Sequence, residues 1–390
     1  MAYFDASAGL LDRTVFSSAE IYEREIEAIF QSVWLFVGPQ DWVAEPGDFY
    51  LSSMGSTPVI LWRALDSSLK VLVNRCPYGV EAITEEERGR AEVFVCPCHG
   101  QPFMDGSGRE LDAAPQVATH SGLVFACMSE DGPGLRESMG DFAWYLEIIT
   151  NRPAGGAQIY GGGPLRWIMR GNWKLAAEAF AGDIYRDTTA HQATREALGA
   201  GGSLADRTGF QAATGSGTMV VATDEAHLAA LDGPAGGDDP RNEMLPLSAT
   251  LFPNLSYDGR TETLHVWHPR GPNETEVHTY CLVGRDDSPA TKEKLRRRCQ
   301  RHFGPAGLES GDDEDIWASI TKASKGRSAR GQKLNLQMGL GRERPMNIPG
   351  RGADLVSEMN QRAFYSWWDT QLAAPPRPVK SNWLRVATGD

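Results

Sequence analysis

Three cysteines and one histidine at the ends of short β-type runs constrain this chain more than any other feature. The runs cover residues 58–62, 69–73, 92–96 and 122–126, and turn residues separate them. This pattern is typical of a small antiparallel β-domain. Cys76 follows one run, and Cys96, Cys98 and His99 end or follow another. Two loops of one sheet can thus present these four side chains as metal ligands.

The spacing partly fits a Rieske [2Fe–2S] centre, which needs two thiolates on one iron and two imidazoles on the other. The usual pattern is Cys-x-His on the first loop and Cys-x-x-His on the second. Cys96 and His99 fit the second loop, but Tyr78 stands where the first loop needs histidine. Two other interpretations stay open. Cys76 and Cys96 are either ordinary buried thiols or, with Cys98 and His99, ligands of zinc, although residues 98 and 99 of a strand point apart.

The length and the net charge limit the classes of protein to which this chain can belong. The 390 residues predict two or three domains or one large one. The net charge of −13 argues against a surface that follows nucleic-acid phosphates. No apolar run approaches the ~18 residues of a membrane span, and the N-terminus lacks a signal pattern. We therefore expect a cytoplasmic protein that binds neither nucleic acid nor membrane.

The rest of the chain alternates helical and strand-like segments. Ser17 and Glu20 form a capping box before a helical pattern that reaches Val33. Residues 199–240 are rich in Gly and Asp, and we expect mobile surface structure there apart from one β-type run. Further helices are predicted at 171–185, 291–303 and 358–372, and further strands at 263–267 and 276–283.

From about Phe16 to Leu372, the chain resembles the α subunit of an aromatic-ring-hydroxylating Rieske oxygenase, because several sequence motifs occur in the same order. The motifs are Cys76…Cys96-x-x-His99, Asn172-Trp-Lys, Glu178…Gly182-Asp183, and the segments at 251–257, 266–272, 303–307 and 360–365. The resemblance implies an α+β fold, in which a Rieske-type antiparallel β-domain is inserted into a helix-grip domain, an antiparallel sheet around a long helix. We expect the β-domain at 36–150, with 1–35 and 151–390 forming the catalytic-type part.

The resemblance also implies a second metal site. Family members hold Fe(II) with two histidines and one carboxylate, the histidines in the pattern Asp-x-x-His-x4-His. Here Arg186 takes the first histidine position, His191 is the second, and Asp313 is the carboxylate after Phe303-Gly-Pro-Ala-Gly307. Asp183 matches the acid that in the family links the Rieske centre of one subunit to the iron of its neighbour.

Both departures weaken metal binding. A guanidinium stays protonated and has no lone pair for Fe(II), and Arg186 is expected to pair with Asp313 or Asp187 instead. A tyrosine phenol is a poor substitute for imidazole, and we expect the Tyr78 ring to fill the space of the cluster. The [2Fe–2S] cluster and Fe(II) that the resemblance implies are therefore predicted to be absent or incomplete in this chain.

Three functions compete. The leading hypothesis is a non-catalytic α-type subunit that supports an active α paralogue, with a small β subunit as a further partner and with ferredoxin and reductase acting through the complex. The second is an active Rieske dioxygenase that adds O₂ to an aromatic or other apolar substrate. The third is a metal-free protein that binds a hydrophobic ligand. Under the first hypothesis, we expect Asp183 to lie at an interface between α-type chains, because the sequence suggests no role for this acid in a lone metal-free chain. The alternative is that Asp183 is a solvated acid on the surface.

Overall fold

The chain folds into two compact units in a computed structural model. The smaller unit comprises Arg24–Ser138 and Pro375–Asp390, and the larger one Met1–Glu23 and Met139–Ala374. The limits at 24 and 138 precede those expected from the sequence, 36 and 150. The structure describes residues 2–79, 81–151, 154–197, 208–232, 240–304 and 307–378. Residues 199–207 and 233–239 of the segment expected to be mobile lie outside these ranges, as do Pro305 and Ala306.

The smaller unit is the antiparallel β-domain that the short runs predict. A four-stranded sheet has the order Leu69–Val73, Thr57–Arg63, Asp48–Met54 and Arg88–Arg90. A three-stranded sheet has the order Gln116–His120, Leu123–Cys127 and Leu35–Pro39, and Phe94–Val95 pairs with Pro102–Phe103. Ile60, Trp62, Leu72 and Phe94 form a buried cluster between these strands that includes Cys76 and Cys96.

The larger unit is built on one nine-stranded antiparallel sheet. Its strands run in the order Ala157–Met169, Glu274–Gly284, Thr263–Gly271, Leu255–Asp258, Leu245–Leu251, Gly217–Ala222, Gly209–Ala213, Arg351–Asp354 and Arg344–Pro345. A small sheet joins Phe4–Asp5, Leu10–Asp12 and Lys333–Asn335. The long sheet carries the predicted strands at 263–267 and 276–283.

Two helices pack on the large sheet and on each other, as the helix-grip arrangement requires. They are Trp173–Gly182, which we call the site helix, and Met359–Ala373, the closing helix. Their buried faces include Trp173, Phe180, Phe364 and Trp368. The other α-helices are Ala19–Glu25, Leu135–Met139, Phe142–Thr150, Gln192–Ala197, Glu225–Asp232, Pro289–His302 and Leu308–Ser324. No helix within the described ranges is long and apolar enough to cross a bilayer.

The first helix shows how a neighbouring contact changes a cap predicted from sequence. The Ser17 hydroxyl donates to the Ser324 carbonyl, whereas the Ser18 hydroxyl accepts the Ile21 amide at 3.3 Å. The prediction of Ser17 as the cap is therefore wrong by one residue. The helix then continues as a π-helical turn, Ile26–Phe30.

Candidate functional site

The first candidate site lies at the C-terminal end of the site helix. Asn172 caps the start of this helix, where its side chain accepts the Lys174 amide at 3.2 Å and satisfies a free helix N–H. The helix ends at Gly182, where a Cβ atom would lie only 2.7 Å from the Asn360 Cβ. The turn Ile184–Thr188 follows and carries Arg186 back toward the helix Leu308–Ser324.

Two buried side-chain amides that were not among the predicted site residues fix this helix end. Gln211 donates to the Gly182, Leu355 and Ser357 carbonyls at 2.7–3.1 Å. The Asn360 amide donates to the Ala181 carbonyl at 2.7 Å. Gln211 belongs to a strand inside the segment expected to be mobile, so that prediction is wrong for residues 209–213. Asn360 begins one of the motifs that carry the family resemblance, and this motif was the sequence signal that could have identified it.

Arg186 lies between two carboxylates. Its Nη2 atom contacts Asp313 Oδ1, and its Nε lies 3.3 Å from Asp183 Oδ2. Its guanidinium carbon also lies 5.4 Å from the centre of the Trp317 ring. Only 12% of the Arg186 side chain and 8% of the Asp313 side chain are exposed. The expected ion pair with Asp313 is therefore confirmed, while the Asp187 side chain lies outside the described part of the chain.

The pairing also changes the interpretation of Asp183. The sequence suggested no role for Asp183 in a lone chain. In the structure, Asp183 forms an ion pair with Arg186 of the same chain. Its side chain is only 17% exposed in this chain, which argues against a solvated acid, and its place at an interface between α-type chains stays a prediction. Asp183 therefore offsets part of the positive charge of Arg186 within its own chain, whatever else it contacts.

His191 and Asp313 lie together at this site. His191 Nε2 is 3.1 Å from Asp313 Oδ1, and both residues are buried. The site opens into a small cavity, whose other lining residues include Phe180, Leu247 and Arg260. Because Arg186 also contacts Asp313, a cation already occupies the acceptor that a metal would need. These residues do not fit the Fe(II) site of two imidazoles and one carboxylate.

A buried acid lies behind the site. The Tyr365 hydroxyl donates to Glu178 Oε2 at 2.5 Å. Burial raises the pKa of the Glu178 carboxyl to about 8, and the nearby charges of Asp183 and Glu358 add to the increase. Because a buried carboxyl avoids the charged form, Glu178 holds a proton at neutral pH.

The three histidines of the sheet are structural. His265 hydrogen-bonds with the Thr263 and Thr279 hydroxyls and stacks on Trp267. His278 contacts Glu276, and His268 packs on His278 at 4.5 Å between ring centres. All three are at most 2% exposed, as expected for core histidines, and His265 also packs on Phe180, a lining residue of the cavity.

The second candidate site is formed by two tight loops of the smaller unit. The Gly79 amide donates to the Cys76 carbonyl at 3.2 Å, and the Gly100 amide donates to the Cys96 carbonyl at 2.9 Å. Gly100 has a φ of +65°, a left-handed conformation that glycine adopts without strain. The loops direct both sulfurs inward, since Cys76 and Cys96 are at most 1% exposed.

Three of the predicted ligands converge between these loops. The ligand atoms of Cys76, Cys96 and His99 all lie within 4.8 Å of one another. Cys76 Sγ is 3.6 Å from His99 Nε2. Burial raises the pKa of the Cys76 thiol. Cys98 is exposed and outside this group, and a hydrogen bond with Glu81 raises the pKa of its thiol.

Tyr78 does not lie where we expected. Its side chain is 67% exposed and stacks on Phe103, with ring centres 6.2 Å apart. The prediction that its ring fills the space of a cluster is therefore wrong. The first loop turns the Cys76 sulfur inward and the Tyr78 ring toward solvent. With one imidazole and an outward phenol, the residues do not fit the two-cysteine, two-histidine ligand set of a Rieske cluster.

Sequence comparisons agree with the two units. Residues 33–123 match the family described as "Rieske [2Fe-2S] domain", and residues 143–374 match "Ring hydroxylating alpha subunit (catalytic domain)". Biphenyl dioxygenase subunit alpha of Paraburkholderia xenovorans (strain LB400) is 32% identical, over 95% of this chain and 92% of the relative. Chlorobenzene dioxygenase subunit alpha of Cupriavidus sp. (strain PS12) is 31% identical, over 94% and 92%.

Solved structures share the fold. A naphthalene 1,2-dioxygenase from Rhodococcus sp. bound to indole superposes with a TM-score of 0.82 at 25% identity, covering 94% of this chain and 95% of that one. A naphthalene 1,2-dioxygenase with indole in its active site gives a TM-score of 0.85 at 24% identity, covering 95% and 94%. The expected resemblance and fold class are thus confirmed.

Proposed function

Because the chain belongs to the family of α subunits of Rieske ring-hydroxylating oxygenases, we propose that it is a non-catalytic α-type subunit that supports an active α paralogue. One observation carries this proposal: the Arg186 side chain contacts both Asp313 and Asp183 at the position of the first iron-binding histidine. A guanidinium cannot ligate a metal ion. It repels one instead, and it balances the carboxylate charge that iron would balance.

The second degenerate position supports the same function. Oxygenation by this family needs an electron from the Rieske centre as well as iron for O₂. Tyr78 is exposed and offers no imidazole to the loops of Cys76 and Cys96. This chain lacks one ligand for the Rieske centre and one ligand for the iron. Both the electron donor and the O₂-binding metal are therefore affected, whereas a change in substrate preference would require neither loss.

The partners follow from this role. We propose a mixed assembly with an intact α paralogue, with a small β subunit as a further component, and with ferredoxin and reductase delivering electrons to the intact chain only. All six cysteines are free thiols, which supports a reducing, cytoplasmic compartment. The cavity beside Arg186 has charged lining residues such as Asp258 and Arg260, so it supports a hydrophobic-ligand carrier less well.

The test compares this chain alone, an intact α paralogue alone, and both expressed together. Each sample receives ferredoxin, reductase and biphenyl as the probe, a compound named in relatives of the family. We measure oligomer mass, oxygen uptake and hydroxylated product. The proposal expects no product from this chain alone, a mixed oligomer on co-expression, and turnover or stability of the paralogue that improves in the mixture.

Two results would overturn the proposal. A homo-oligomer of this chain that forms hydroxylated product would make it an active dioxygenase. Failure to form any mixed oligomer, together with saturable binding of biphenyl to the isolated chain, would make it a ligand-binding protein.

A further inference from the structure

We propose that Cys76, Cys96 and His99 hold a single zinc ion in place of a [2Fe–2S] cluster. Their ligand atoms lie within 4.8 Å of one another, and Cys76 Sγ is 3.6 Å from His99 Nε2. Zinc bonds of about 2.3 Å to sulfur and about 2.0–2.1 Å to nitrogen place those two atoms about 3.6 Å apart at a tetrahedral angle. The observed separation therefore suits two ligands of one ion.

The same separation does not suit a Rieske cluster. There the thiolates bind one iron and the imidazoles bind the other, so a sulfide-bridged pair of irons stands between Cys76 and His99. The two side chains would have to move apart to admit it. The outward Tyr78 ring, 67% exposed, leaves the second iron with one imidazole.

The loops bring both sulfurs into one buried place. Cys76 and Cys96 are at most 1% exposed, and the Gly79 and Gly100 amides close the two loops by donating to the Cys76 and Cys96 carbonyls. Cys76 and Cys96 lie in the buried cluster with Phe94 and Phe103. Two thiolates there carry two negative charges, and a divalent ion makes the group neutral. His99 lies on the exposed side, where water completes four coordination.

The donor set selects the metal. Two thiolates with imidazole in a tetrahedral arrangement favour zinc over magnesium, calcium or manganese, which prefer oxygen ligands. Cys98 is not needed, because its exposed thiol lies outside the three-residue group. This differs from the four-residue zinc site drawn from the sequence. The inference uses only the smaller unit, so it holds or fails independently of the proposed role as a subunit.

The test measures metal on the full-length protein purified from medium that contains both zinc and iron. We expect about one zinc per chain, little iron and no acid-labile sulfide. Replacement of zinc with Co²⁺ should give sulfur-to-cobalt charge-transfer bands in the near ultraviolet and visible bands of tetrahedral cobalt. These readouts do not depend on oxygenase activity.

Variants separate the three ligands from their neighbour. Cys96→Ser and His99→Ala should each reduce zinc content at least about tenfold after dialysis against a chelator. Cys98→Ser is the matched control and should retain zinc. His99→Ala changes an exposed side chain, so its circular dichroism spectrum should be unchanged, and its loss of zinc cannot be attributed to unfolding.

Three results would each overturn the inference. Two irons and two sulfides per chain would show a cluster. Protein without bound zinc that takes up no Co²⁺ would show ordinary buried thiols. Loss of zinc from Cys98→Ser equal to the loss from Cys96→Ser would show a different ligand set.

Discussion

Arg186 and Tyr78 both stand where the resemblance implies a metal-binding histidine, yet their surroundings are opposite. Arg186 is 12% exposed and contacts two carboxylates, whereas Tyr78 is 67% exposed and contacts Phe103. The ligands that remain explain the difference. Asp313 is buried, and a buried carboxylate needs a cation beside it. A thiol that keeps its proton is neutral, so buried thiols need no replacement charge in the absence of a metal.

This comparison shows two ways of losing a histidine ligand. At the carboxylate site the replacement side chain supplies the missing charge, and a metal has nothing left to neutralise. At the thiol site the replacement side chain, Tyr78, faces solvent. The remaining ligands therefore stay available to another ion. Carboxylate sites are thus expected to be blocked after such a loss, while thiolate sites are expected to be reused.

The largest effect should come from restoring each histidine separately. Arg186→His removes the cation and recreates two histidines and a carboxylate, so we expect about one Fe(II) per chain. Tyr78→His should not create a cluster, because the two loops depart from the family pattern at further positions. Neither variant nor their combination should give strong oxygenase activity in the isolated chain. The resemblance implies Arg after the first histidine and Gly-Trp after the second, and this chain has Gly79 in place of the Arg and Gln101 in place of the Trp. Iron and sulfide analysis checks this; two irons and two sulfides in Tyr78→His would contradict the comparison.

Removing the Arg186 cation without a replacement should destabilise the larger unit. Arg186→Ala removes the cation that Asp313 and Asp183 share, and breaking a buried ion pair costs about 3–5 kcal/mol. The double variant Arg186→Ala with Asp313→Ala should recover much of that loss. Urea denaturation of the single and double variants gives the coupling energy. A coupling below about 0.5 kcal/mol would mean that the pair contributes no more than a surface contact.

The buried acid behind Arg186 should make stability depend on pH. The pKa of Glu178 is raised to about 8, so the folded chain holds a proton that the unfolded chain releases near its ordinary pKa of 4.5. The free energy of unfolding should therefore fall by roughly 1 kcal/mol per pH unit between these two values as pH rises. Glu178→Gln should remove that slope.

The control for this pH dependence is Glu293→Gln. Paired arginines lower the pKa of Glu293 to about 2, so its contribution changes below pH 4.5 and not in the window from 4.5 to 8. Denaturation midpoints measured at intervals of one pH unit check both variants. Equal slopes for Glu178→Gln and the parent chain would mean that Glu178 is charged in the folded protein.

The smallest effect should come from Tyr78→Ala. An exposed ring that makes one stacking contact with Phe103 contributes little, and we expect a change within about 0.5 kcal/mol. Thermal denaturation of the parent and the variant measures it. A loss above about 2 kcal/mol would show that Tyr78 supports the buried cluster, which would return it to the role that the sequence suggested.

The sequence predicted the regular elements well where apolar periodicity is strong. The site helix was expected at 171–185 and observed at Trp173–Gly182, and the closing helix was expected at 358–372 and observed at Met359–Ala373. The strand Gly209–Ala213 was missed, because its Gly, Gln and Ala residues have little β propensity. Its place is set by partners on both sides in the sheet, including Arg351–Asp354 far along the chain.

The sequence by itself determined which side chains stand at the two altered ligand positions, and no fold makes a guanidinium into a ligand for iron or gives a phenol the properties of imidazole. It also determined the family, through motifs spread over nearly the whole chain. The tertiary structure decided what each replacement does. Whether a side chain at a loop position faces the core or solvent depends on contacts between residues distant in sequence. Packing therefore turned Tyr78 outward, and the carboxylates of Asp183 and Asp313 held Arg186 inside.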